Sequence, residues 1–361
     1  MTQRLTDPSS LLAPLERASG AVGRLAQAAA GTPVLAAWLH RSRAEAAAAI
    51  AGIQGRRVDP NRLRTLLAGV PARAARDWGA SMIALDAMRQ MLADGTGGGA
   101  MDGDAPHPFP DGAGEAMARM EGALGTAKGA VLIACGLGFL AHLEAGGDRG
   151  AACLAVSRFL AVREMTPLPL PCLNGVEAIR RAEPGADWLV AFLDGMARQA
   201  AEGEDGLVAL LHRWRGWRRR VADRRSDARI RRAVDAVAAE GVIGPARLAA
   251  RLRCATSAAT DLLEELQRLE IAVEITRRRT HRIFVAEDLA PMLGEVAPRA
   301  ATAAIPAEFP RPESPRPQPP MSWEADRWVE PAEGVDDALA ALERILKRQD
   351  PLLARYGRAG S

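Results

Sequence analysis

The heptapeptide Thr276-Arg277-Arg278-Arg279-Thr280-His281-Arg282 places four guanidinium groups and an imidazole on one short stretch of chain. Guanidinium is planar, always charged and weakly hydrated, and its forked donors match the oxygens of phosphate. So many cations side by side need an anionic partner or full hydration. Duplex DNA is the commonest such partner. Val273 and Ile275 precede the run, and Ile283, Phe284 and Val285 follow it, in the manner of two short strands. The sequence predicts a β-hairpin with a cationic tip.

The preceding residues must position that hairpin. Ile230, Val234 and Val237 recur at three to four residues and give one helix an apolar face. Gly241 is placed to end it in a left-handed cap. Pro245 opens a second helix, where a missing N–H costs nothing, and Leu248 and Leu252 form its buried stripe. Ala255-Thr256-Ser257 supply a turn and an N-cap for a third helix, which buries Ala259, Leu262, Leu263, Leu266 and Leu269. Helix, turn, helix, turn, longer helix and hairpin read together as a winged helix-turn-helix domain over residues 226–294. In that geometry the first turn of the third helix enters the major groove. Thr256, Ser257 and Thr260 would meet base edges or phosphates, and Arg251 and Arg253 would hold the backbone. Arg277, Arg278, Arg279, His281 and Arg282 would lie along phosphates or the minor groove. Glu264, Glu265 and Glu270 sit on later turns that do not dock. The alternative for such a unit is a winged helix that holds another protein or only dimerises.

Composition bounds the rest. The chain has 361 residues, enough for two domains and tails, and its 48% apolar content with 4% aromatics suits an Ala/Leu-rich, mainly α protein. The net charge is only +3, so local clusters matter more than the total. Lys128 and Lys347 are the only lysines, a bias that a GC-rich genome would also produce. Cys135, Cys153, Cys172 and Cys254 make no CxxC pair and no metal-ligand spacing with the histidines, so neither metal nor cofactor is expected. No apolar leader opens the chain, and the most apolar run, 131–141, is too short for a bilayer. These features predict a reduced, cytoplasmic protein with no membrane span.

Helical periodicity recurs over 11–30, 33–53, from Asp59-Pro60 onward, and over 72–92, where Trp78, Met82, Leu85, Met88 and Met91 would face the core. This first part of a helical domain spans 8–94. Seven glycines and three prolines in Asp94–Gly114 make 95–114 a loop or disordered insert. The domain resumes over 115–225: a helix from Glu115 to Glu144 broken near Gly125, a Gly-rich turn at 146–150, and a helix over 151–162. A Pro-rich connector at 166–174 and helices over 187–202 and 205–225 follow. The last carries Arg213, Arg215, Arg218, Arg219, Arg220, Arg224 and Arg225 interleaved with Trp214 and Trp217, either a solvated face or an extension of the DNA surface. A Pro-rich linker at 295–334 leads to a final amphipathic helix at 335–348.

Three segments carry a resemblance: Leu11-Leu12-Ala13-Pro14-Leu15, the connector Leu168-Pro169-Leu170-Pro171-Cys172-Leu173-Asn174, and the stretch ending Arg277 to Val285. On these the chain resembles a bacterial, often plasmid-borne family of uncharacterised proteins that join an all-helical domain to a C-terminal helix-turn-helix DNA-binding domain. More weakly, the layout is similar to Fic proteins, helical enzymes that move AMP from ATP to a protein hydroxyl. Their signature is His-x-Phe-x-acid-Gly-Asn-Gly-Arg, with a further Arg three residues on. The His acts as base, the acid holds a metal, and the Gly-rich turn cradles phosphates.

Two places echo it. His107-Pro108-Phe109-Pro110-Asp111-Gly112 matches the opening, which would make His107 the base and Asp111 the metal ligand. Ala113, Glu115 and Ala118 then stand where the Asn and both Arg belong. His142, followed by Gly146-Gly147-Asp148-Arg149-Gly150 between two helices, has the right context, with His142 and Asp148 in the corresponding roles. There Gly146 replaces the acid and Cys153 the later Arg. The related inhibitory pattern falls on Ala47–Gly52, with Ala51 in place of its Glu. The resemblance therefore implies a Fic-like scaffold whose chemistry has eroded. The expectation is a DNA-binding regulator, transcriptional or replicon-associated, whose degenerate helical domain serves dimerisation, a protein partner or a ligand. The alternative is a divergent nucleotidyl or phosphoryl transferase.

Overall fold

The computed structural model describes residues 8–68, 75–93, 112–181, 187–222, 228–276 and 282–293. The chain divides into two units: residues up to Ser226 with Val237–Val242, and Asp227–Ala236 with Ile243 onward. The described residues are mainly helical, with one small sheet. Among them no helix is long and apolar enough to cross a membrane.

The first unit runs α1 (Pro8–Ala30), α2 (Leu35–Ile53), α3 (Pro60–Leu67), α4 (Ala75–Ala93), α5 (Gly112–Ala123), α6 (Val131–Glu144), α7 (Arg149–Val162), α8 (Val176–Arg181) and α9 (Trp188–Arg220). Its centre is α6, apolar all round and so buried on nearly every side. Glycines bring neighbours close to it. A Cβ on Gly138 would lie 2.3 Å from the Met120 Cα of α5. Gly136 leaves room for Leu189 and Phe192 of α9, and its carbonyl accepts from Trp188 Nε1 at 3.0 Å. Phe139, Trp188 and Phe192 form an aromatic cluster, with centroids 5.5 and 5.9 Å from Phe139.

Helices α1 and α9 pack along their length through Ala18, Val22 and Leu25, and Arg17–Asp194 and Arg24–Glu204 pair along the edge. The expected break between 202 and 205 is absent; α9 is one helix of 33 residues. Gly203 does not punctuate it. A Cβ there would sit 2.9 Å from Cys172 Sγ and 3.3 Å from Leu25, so this glycine permits close packing. The connector before α9 is held by a buried amide network. Asn174 Nδ2 donates to the Pro171 carbonyl, Gln199 Nε2 donates to Asn174 Oδ1 at 2.7 Å, and Gly175 N donates to Gln199 Oε1. That network starts α8, a short helix no periodicity announced. Two further expectations need correction. Met82 of α4 is 45% exposed, because Ser81, Ala84 and Asp86 take the inward positions. Helix α5 begins at Gly112 rather than Glu115, since Gly112 lacks a Cβ that would press to 2.9 Å from Ala151.

The second unit comprises α10 (Ala228–Glu240, its last turn grouping with the first unit), β1 (Val242–Ile243, of which Val242 also groups with the first unit), α11 (Pro245–Leu252), α12 (Thr256–Arg268), β2 (Ala272–Glu274), β3 (Phe284–Ala286) and α13 (Ala290–Leu293). The strands form a sheet of order β1-β3-β2, with β2 and β3 antiparallel in the register Ala272↔Ala286, Glu274↔Phe284. Strand β1 was not apparent in the sequence. Gly241 adopts φ +69° after α10, and Pro245 starts α11 as expected. The expected polar cap of α12 is absent: Ala255 is the N-cap, and no side chain caps it. The turn is made instead by Arg253 in the left-handed region at φ 53°. In β2, Ala272 is buried, Val273 is 40% exposed and Glu274 pairs with Arg282.

Candidate functional site

In the first unit, α6 and α7 are joined by the tight turn Ala145-Gly146-Gly147-Asp148. Gly146 at φ +76° permits the reversal, and Gly147 N donates to the His142 carbonyl. Asp148 caps α7, accepting from Ala151 N at 2.7 Å, and also accepts from Gln54 Nε2 of α2 at 3.2 Å. The turn is therefore tied to both α7 and α2.

His142 lies inside this turn at 1% exposure. Its Nδ1 is 2.9 Å from Arg119 Nη1 and its Nε2 is 3.2 Å from the Asp148 carbonyl. Arginine can only donate, so Nδ1 is an acceptor and Nε2–H donates to the carbonyl. The ring is thus held neutral, with both nitrogens engaged. Burial lowers its pKa, against the Asp148 carbonyl bond and with the nearby Arg119 charge. A Cβ on Gly147 would lie 2.2 Å from Nε2, so the ring packs flat against this residue. Such a histidine is a structural bracket. It has no lone pair free to take a proton from a substrate hydroxyl. Arg119, 23 residues away on α5, carried no sequence signal for this role. Glu115, expected as a charge reversal in a motif, instead pairs with Arg119 across one helical turn. His107 and Asp111 lie outside the described residues.

Beside the turn, a cleft of about 620 Å³ is lined by Ala48, Gly52 and Ile53 at the end of α2 and by Arg57, Val58 and Asp59 before α3. Arg149 at the start of α7 and Ile179 and Arg180 of α8 complete it. Buried Arg64 fixes α3 to α2, donating to Asn61 Oδ1 at 2.8 Å, to Glu45 Oε1 at 2.7 Å and to the Arg41 carbonyl at 3.3 Å.

In the second unit the expected contact residues separate into groups. Thr256 and Ser257 are exposed on the first turn of α12, and exposed Arg253 lies in the turn before it, ahead of Cys254 and Ala255. Arg251 is half-buried in the last turn of α11. Thr260 is half-buried, and its hydroxyl donates to the Thr256 carbonyl at 2.9 Å, so that proton is committed to the helix. Arg277, Arg278, Arg279 and His281 lie outside the described residues; they belong to the chain between paired Glu274 and Phe284.

Arg282 has a different environment. It pairs with Glu264 of α12 and with Glu274 of β2, the latter at 2.8 Å, and its guanidinium lies 5.0 Å from the Phe284 ring centroid. The hydrogen bonds it donates to Glu274 and Glu264 raise its pKa further. Arg282 therefore joins the hairpin to α12 through Glu264, while Glu265 on the next position pairs with Arg268. Thr276 supports the same end, its hydroxyl accepting from Ile283 N at 3.0 Å.

On α9, Arg218 stacks at 5.3 Å on Trp214, while Trp217 is buried and Arg213, Arg215, Arg219 and Arg220 are exposed. Arg224 and Arg225 lie outside the described residues. No protein-family model matches the sequence, and no curated protein matches it.

Proposed function

We propose that the chain is a DNA-binding protein, a transcriptional or replicon-associated regulator whose second unit reads duplex DNA as a winged helix-turn-helix. The observation that carries this reading is the exposed hydroxyl-bearing first turn of α12, with Thr256 and Ser257 side by side and Arg253 in the turn before it. Helix α11 and strand β2 pack against α12, and the chain that connects β2 to β3 holds Arg277, Arg278 and Arg279. A short polar turn flanked by arginines suits base edges and phosphates together. Of the ten residues expected to touch DNA, Arg282 is reassigned as the residue that holds the hairpin on α12. The helical first unit would serve dimerisation, a protein partner or a ligand. Transfer from ATP at His142 is set aside, because both its ring nitrogens are engaged within the fold.

Capture of genomic fragments by the full chain tests the reading. Discrete sites should be enriched, and Thr256→Ala/Ser257→Ala should change which sites are recovered while keeping general affinity. Recovery no different from input DNA would overturn the reading.

A further inference from the structure

We propose that the cleft between α2, α3, α7 and α8 binds a small phosphorylated ligand. This stands apart from the DNA reading and does not depend on it. Three arginines from three separate elements line the cleft: Arg57, Arg149 and Arg180. Among the described residues, Arg57 and Arg149 have no acidic partner within ion-pair distance. Arg180 pairs with Glu177 at 2.9 Å, but that carboxylate is shared with Arg181 at 3.5 Å and Arg198 at 3.4 Å. One negative charge therefore serves three positive ones.

The nearby acids do not restore the balance. Asp59 accepts from Asn61 N at 2.9 Å as the cap of α3. Asp148 is held by Ala151 N and Gln54. Among the lining residues Asp59 is the one carboxylate against three guanidinium groups, so the lining carries an excess of two positive charges. Guanidinium groups approaching from several sides suit an oxyanion with several oxygens. Ala48, Ile53, Val58 and Ile179 give the same cleft an apolar wall, so the ligand should carry an uncharged part beside its phosphate. Its volume of about 620 Å³ lies within the range of small-molecule sites. A cleft of this size with a mixed lining suits a small molecule that joins a charged and an uncharged part.

Isothermal titration of the full chain at low salt tests this with pyrophosphate and phenyl phosphate as probes. Both should bind with 1:1 stoichiometry. Arg57→Gln/Arg149→Gln should weaken both at least tenfold, whereas Arg215→Gln/Arg219→Gln on α9 should not. Because Arg57 and Arg149 are exposed, their loss should leave the thermal melt unchanged. Gly52→Met provides a second arm: it fills the cleft without removing a charge and should abolish phenyl phosphate binding. Absence of binding, or equal weakening by the α9 variant, would overturn the proposal. So would a parallel loss of duplex-DNA affinity in Arg57→Gln/Arg149→Gln, which would make the cleft part of a nucleic-acid surface. A failure of DNA binding in the unaltered chain would leave the phosphate titration unaffected.

Discussion

Replacing His142 by Ala distinguishes a structural bracket from a latent catalytic base. The wild-type ring is buried at 1% exposure, receives Arg119 on Nδ1 and donates to the Asp148 carbonyl from Nε2. Truncation removes two hydrogen bonds, leaves a buried carbonyl without its donor and opens a void over Gly147. Together these cost roughly 3 kcal/mol, from large-to-small core replacements and the penalty for a stranded polar group. The cost should also depend on pH. Burial depresses the folded pKa, so the unfolded chain binds the proton more readily. Wild-type stability is then full above the ordinary histidine value of about 6.5 and declines as pH falls below it, by at most about 1.4 kcal/mol per unit. The variant lacks this dependence, so the gap between the two proteins should narrow as pH falls from about 7.5 to about 5.5. Urea unfolding followed by tryptophan fluorescence measures both quantities, since Trp188 lies buried in the same unit. Equal stability of the two proteins at both pH values would refute the bracket and return His142 to candidacy as a base.

Other perturbations probe other joints. Gly138→Ala would drive a methyl to within 2.3 Å of the Met120 backbone and should destabilise the first unit by roughly 3 kcal/mol, read as a lower urea midpoint. Arg282→Ala strands two glutamates. It should cost roughly 1–2 kcal/mol, between an exposed and a buried ion pair, and hydrogen exchange should quicken at β2 and β3. The salt slope of DNA binding should barely move in that variant, whereas Arg278→Ala should reduce it by about 0.9. Gly147→Ala, with its added carbon 2.2 Å from His142 Nε2, should abolish the His142 pH dependence by displacing the ring; an unchanged pH profile would count against the packing described for that turn.

Long apolar periodicities were legible in the sequence. Helices α1, α2 and α7 lie where their alanine and leucine spacing placed them, and Gly241 and Pro245 bound α10 and α11 for the backbone reasons expected. Glycine misled where it serves packing rather than turning. Gly203 suggested a break in α9 but admits Cys172 and Leu25, and Gly112 opens a helix because it must pass close to Ala151. Strand β1 has two residues, too few for any alternation to show. The roles of charged residues were least legible, because they depend on partners distant in sequence. Arg282 read as one more phosphate contact until Glu264 and Glu274 appeared beside it, and nothing near His142 in sequence pointed to Arg119. The Arg57–Arg149–Arg180 cleft was invisible for the same reason, since its three arginines span more than a hundred residues. The Gly/Pro-rich segment up to residue 111, the Pro-rich stretch at 295–334 and the helix expected at 335–348 lie outside the described residues.

The proposed grip of the second unit on duplex DNA through its arginines should show in the salt dependence of affinity. Fluorescence anisotropy of the full chain on a labelled duplex should give log K falling linearly with log salt. If Arg251, Arg253, Arg277, Arg278 and Arg279 each neutralise a phosphate, the slope should be about −4.5. Replacing Arg277, Arg278 and Arg279 together by Ala should bring it to about −1.8. An affinity that stays constant as salt rises, or a slope indifferent to those three substitutions, would contradict the account.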